Sequence, residues 1–115
     1  MNTQERSIYG LSNAERVANG LAWLREHSAT LDLHTSRIDP DRIELYEPFT
    51  CVLAQASGRG YGATVRDAMD AGLVNTGYQV AIEWARDHAF FPAVGENVAA
   101  VRAEWVRVLS TSEPF

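Results

Sequence analysis

Lysine is missing altogether: the ten cationic side chains are all arginine, set against 15 carboxylates for a net charge of −5. That balance gives no electrostatic support for gripping a polyanion, so nucleic acid is not an expected partner. Because lysine codons are A-rich and most arginine codons G/C-rich, the bias also points to a GC-rich genome. Cysteine occurs once, which rules out an internal disulfide. No apolar run approaches the roughly 18 residues that span a bilayer, and no segment has the basic excess of a membrane-surface helix. The opening MNTQERSIYG lacks the apolar stretch of a secretion signal. A cytoplasmic protein with no membrane partner is the expectation.

Aromatic residues are not scarce. Three tryptophans, four tyrosines and four phenylalanines in 115 residues exclude a disordered chain, and a chain of this length buries about two thirds of its unfolded surface in one core. A single domain, 1–115, is expected, with 1–11 as a loose N-terminal arm and 110–115 as a frayed tail.

Ser12-Asn13-Ala14-Glu15 is a capping box and starts a helix to about His27, whose Val17, Leu21 and Leu24 share a face. Gly20 beside that face weakens the helix by about 1 kcal/mol relative to alanine, which implies close approach of another element. Asp39-Pro40 reads as an N-cap with proline at the first helical position, opening a short turn towards Leu45. Glu47-Pro48 interrupts it. Thr50 then caps a short helix, CVLAQAS, closed by Gly58, with Cys51, Val52, Leu53 and Ala56 inward. The alternation Ile43, Leu45 leaves room for one small β-hairpin with residues near Cys51. A helix over 63–71 carries Val65, Ala68 and Met69 inward and ends at Gly72. The next, capped by Asn75 or Thr76, has a wide apolar surface that suggests a central position and is ended by Phe90, Phe91 and Pro92. The last, about 96–109, lines up Val98, Val101, Trp105 and Leu109. The fold class expected is all-α, an irregular bundle of four to five helices.

No catalytic residue and no metal ligand set is expected. Cys51 lies between apolar residues and reads as a small buried side chain. His27, His34 and His88, even with Asp32, show no helical metal spacing. His27 suits a helix C-terminus and His88 a hydrogen-bonded core position. Asp39 with Asp41, and Asp67 with Asp70, read as a cap and a solvated face. Gly58-Arg59-Gly60-Tyr61-Gly62 lacks the register of a dinucleotide loop and reads as a turn. No cofactor is implied. Trp84 and Trp105 belong to apolar faces, whereas Trp23 lies to the side of the Val17, Leu21, Leu24 face and is either a flank contact or part of a partner surface. Phe91 is the second partner-surface candidate, because Phe90 fills the core and two adjacent loop aromatics rarely both point inward.

Trp23-Leu24 with His27, then Arg37-Ile38-Asp39, Ile43 with Leu45, and Cys51-Val52-Leu53, Gln55 and Gly58 resemble the motifs of a family of small uncharacterised actinobacteriophage proteins. Members carry a WL-x-x-H helix, an R-I-D segment, an L-x-L pair, and C-V-L-G-Q followed by glycine. The resemblance spans roughly residues 16–61, with a weaker echo around Trp105. Ala54 replaces the usual glycine, and Leu31-Asp32-Leu33 a tryptophan-containing turn. It implies a phage-encoded protein in the host cytoplasm and brings no known activity. The function expected is that of a small non-enzymatic accessory protein that binds a host or defence protein through Trp23 or Phe91. A small enzyme, or a self-assembling protein such as a homodimer, is the alternative.

Overall fold

Ser12 opens the first helix as the sequence predicts. In the computed structural model, which describes residues 10–74, 78–92 and 97–115, its hydroxyl accepts from the Glu15 N–H at 3.1 Å. The Glu15 carboxylate accepts in return from the Ser12 N–H at 3.2 Å. Helix α1 follows over Asn13–Glu26. The remaining elements are α2 (Ser28–Leu31), two 3-10 turns (Thr35–Arg37 and Pro40–Arg42), α3 (Val52–Ser57), α4 (Tyr61–Asp70), α5 (Tyr78–Asp87) and α6 (Val98–Thr111). The fold is therefore an all-α irregular bundle, with no strand among the described residues. The candidate caps Asn75 and Thr76 lie outside those residues.

The helices end by three versions of one device. Gly58 closes α3 at φ 71°. At the end of α4, Gly72 has φ 74°, its N–H donating to Met69 O and that of Leu73 to Ala68 O, the two bonds of a Schellman motif. Helix α5 ends with the same pair, Ala89 N–H to Arg86 O and Phe90 N–H to Ala85 O. Here the left-handed residue is an alanine, Ala89 at φ 54°, a conformation uncommon outside glycine. The motif carries Phe90 inward, where it is fully buried.

Gly20 marks where α1 meets this turn. A Cβ there would lie 2.8 Å from two ring carbons of Trp105 and run into the His88 carbonyl oxygen. Trp105, fully buried on α6, donates from Nε1 to Ala89 O at 2.8 Å. Arg16, one turn before Gly20 and also fully buried, donates from Nε to Arg86 O at 2.6 Å and from Nη2 to Phe91 O at 3.3 Å. Asn19 donates to Asp87 O. Side chains of α1 and α6 thus bond carbonyls in the last turn of α5 and in the turn beyond it, Arg86 O taking Arg16 in addition to the Ala89 N–H.

The stretch between α2 and α4 has little regular structure, and its backbone oxygens are met by arginine forks. Arg37 donates to Asp32 O, Ala56 O and Ser57 O, Arg59 to Leu31 O, and Arg102 of α6 to Ile43 O and Asp41 O. Asp39 caps the Pro40–Arg42 turn through Asp41 N–H as expected, but that turn stops at Arg42 and does not reach Leu45.

Three further expectations are corrected. The hairpin does not form: one bond, Glu44 N–H to Thr50 O, links the two arms, and Thr50 and Cys51 N–H both fold back on Glu47 O beside Pro48, which has no N–H to give. The N-cap of α3 is Cys51, not Thr50, and no side chain caps it. The C-terminal residues are held: α6 continues to Thr111, Phe115 N–H donates to Thr35 Oγ1, Phe115 O accepts from Ser36 N–H, and Arg25 lies over the Phe115 ring.

Because both groups facing Gly20 are fixed, one by backbone and one by a buried ring, Gly20→Ala is expected to destabilise the protein by about 3 kcal/mol despite alanine's better helix propensity. Chemical denaturation measures this; a variant as stable as the parent would show that α1 and the α5 turn are not in contact.

Candidate functional site

Two large apolar side chains stand out from the surface among the described residues, Tyr46 at 65% and Phe49 at 75% exposure. Both flank Glu47-Pro48, where the proline and the bonds onto Glu47 O make a turn too tight to turn either ring inward. Pro48 O accepts from Tyr61 N–H at 2.6 Å, tying this turn to the start of α4. The Phe49 ring lies over Gly60, where a Cβ would sit 2.9 Å from its Cε1, and φ there is 87°. The backbone conformation is what favours glycine here, since the exposed Phe49 ring could move aside from a Cβ.

Phe91 joins this face from the α5 turn. It is half-buried, with Tyr46 edge-on at 6.0 Å between centroids and Tyr61 at 6.2 Å, and the Arg86 guanidinium 5.7 Å from its ring centre. Tyr61 and Phe91 are shared by two depressions. One, of about 270 Å³, runs along α4 and α5 and is lined by Tyr61, Gly62, Val65, Arg66, Met69, Ile82 and Phe91. The other, of about 220 Å³, lies under the turn, with Leu45, Tyr46, Glu47, Pro48 and Cys51 as its other walls. Together they form an aromatic-edged apolar face of the kind that marks contact surfaces.

Of the two residues expected on a partner surface, Phe91 lies on this face and Trp23 does not. Trp23 is 7% exposed and takes the flank-contact option. Its ring meets Trp84 at 4.9 Å, His27 at 4.8 Å and Phe90 at 5.9 Å, all edge-on. The flank that α1 alone leaves open is covered by α5 and its turn, contacts that come from far along the chain. Tyr46, Phe49 and Tyr61 were not singled out by the sequence; aromatics on both sides of a Glu-Pro turn were the available signal, since a tight turn has no room to bury both.

The reactive residue types are dispersed. Cys51 is 1% exposed, and burial pushes its thiol above the ordinary range, the reverse of what a nucleophilic cysteine needs. His88 donates from Nδ1 to Trp84 O at 2.7 Å and stacks on Phe90; burial holds its imidazole below the ordinary range. His27 is the C-cap residue of α1. His34 Nε2 meets Asp32 Oδ1 at 2.8 Å, and this bond, with Arg37 beside it, lowers the Asp32 pKa. Asp67 pairs with Arg59, and Asp67 and Asp70 are both exposed. Among the described residues no three His, Cys, Asp or Glu side chains converge as a metal site, and no helix is long and apolar enough to cross a membrane.

Compared with known proteins, the chain matches no family model, no curated protein and no solved structure. The site's own geometry therefore carries the functional argument.

Two outcomes follow from the buried groups. Native protein is expected to resist a thiol reagent at Cys51, reacting only as it unfolds; rapid stoichiometric labelling would contradict the burial. With the folded pKa of His88 below its unfolded value of about 6.5, the unfolded state takes up the proton first, so stability falls as pH drops below that value. Melting curves of the parent and His88→Gln between neutral pH and about pH 5 test this, with the variant expected to lose less stability.

Proposed function

We propose that this chain is a protein-binding module that works through the face made by Tyr46, Phe49, Tyr61 and Phe91. The observation that carries the reading is that the two large apolar side chains most exposed among the described residues, Tyr46 and Phe49, flank the Glu47-Pro48 turn that walls one of two apolar grooves joined through Tyr61 and Phe91. Exposed aromatics on a small domain expose costly apolar area, and such residues dominate binding energies where they occur. The buried, high-pKa thiol and the dispersed histidines favour binding over catalysis. In the setting implied by the phage-protein resemblance, the partner is a host or defence protein. The excess of carboxylates favours a partner with a basic or mixed patch, and association is expected to weaken as salt screens the approach.

The test begins with capture of partners from a host lysate and titration of the purified partner. Tyr46→Ala, Phe49→Ala and Phe91→Ala are expected to keep the helical spectrum, while at least one loses more than about 1 kcal/mol of affinity. Trp23→Ala is expected to unfold or destabilise the protein, as removal of a buried tryptophan does by about 3–5 kcal/mol. Full affinity in all three surface variants, with loss on Asp67→Asn combined with Asp70→Asn, would move the site to the opposite side of α4.

A further inference from the structure

The larger groove describes its own ligand. Its floor is apolar, formed by Val65, Met69 and Ile82, and at about 270 Å³ it exceeds the roughly 150 Å³ of apolar space that accommodates a benzene ring. Arg66 lines it, and none of the ion pairs among the described residues involves Arg66. A fitting ligand is an aromatic side chain with a carboxylate close by. The chain presents that combination at the end of the same face: Phe49 is 75% exposed and lies beside Gly60, and Glu47, two residues earlier and exposed, is likewise in none of those pairs.

We propose that the occupant of the groove is a second copy of this chain, which inserts its Glu47-Pro48-Phe49 turn between α4 and α5 and receives the same turn in return. The proposal rests on the reading of this face as a binding surface and names what covers it in the isolated protein. A knob and a hole on one face, each flanked by the opposite charge, meet the requirement of a two-fold interface, in which each patch contacts its own complement. The carboxylate of Glu47 in one copy then faces Arg66 in the other. Gly62 lies at the groove's edge with open space where a Cβ would be, so the mouth can be narrowed without disturbing the core.

Sedimentation velocity on the full chain, from low micromolar to near-millimolar concentration, is the test. The parent is expected to form a reversible dimer. Phe49→Ala and Gly62→Gln are expected to raise its dissociation constant by about tenfold or more with an unchanged far-UV spectrum. Glu47→Arg and Arg66→Glu are each expected to weaken the dimer several-fold, and the two combined in one chain to restore it, an outcome that general destabilisation cannot produce. A parent that stays monomeric throughout, or a dimer indifferent to Phe49→Ala, overturns the proposal. The two readings fail separately. A monomer that still loses its lysate-derived partner on Phe49→Ala or Phe91→Ala removes only the second copy. A dimer with the expected charge-swap behaviour supports the second copy even where those variants leave partner affinity intact, a result that removes only the other partner.

Discussion

The bundle is held together where side chains of α1 and α6 bond backbone carbonyls at the end of α5 and in the turn that follows it. Arg86 O and Phe91 O are taken by Arg16, Asp87 O by Asn19 and Ala89 O by Trp105. Gly20 provides the space that lets α1 come this close. The α1 residues at 16, 20 and 23 recur with helical spacing, so the stripe that faces α5 and its turn combines a guanidinium, a gap and an aromatic ring. A guanidinium suits this place because its planar fork serves two carbonyls at once, and burying its charge costs less when its donors are occupied.

The same turn sets up the proposed binding face. Ala89 in the left-handed conformation sends Phe90 into the stack with Trp105 and His88 and leaves Phe91 to meet Tyr46 and Tyr61 on the other side. Two consecutive phenylalanines thus divide between core and surface. The second support is the Pro48 carbonyl bound by Tyr61 N–H, which fixes the exposed turn to α4, so both the knobs and the groove walls rest on backbone hydrogen bonds. A face so held loses little conformational freedom on binding, which favours affinity.

What the sequence made legible was local. The capping box at Ser12, the proline turn after Asp39, the glycines at 58 and 72 and the stripe on α6 each announce themselves within a few residues, because caps and periodicity are short-range physics. Gly20 was legible as a close approach, though not what approaches. For Trp23 the sequence left flank contact and partner surface open, because its cover comes from Trp84 and Phe90, more than sixty positions away. Arg16 gave no signal, since nothing nearby in sequence tells that it will donate to carbonyls 70 and 75 residues on. The tail looked frayed for the same reason: Phe115 is secured by Thr35 and Ser36. Tyr46 and Phe49 were passed over because a turn flanked by aromatics was read only as punctuation between helices.

Chemical denaturation of Arg16→Lys tests most directly whether the bundle depends on α1 side chains completing the end of α5. Lysine keeps the charge but lacks the fork that spans Arg86 O and Phe91 O. A loss of about 2–3 kcal/mol, the scale of charged hydrogen bonds broken in a buried site, is the result predicted. Stability within about 0.5 kcal/mol of the parent, the range of an ordinary surface substitution, would contradict the account.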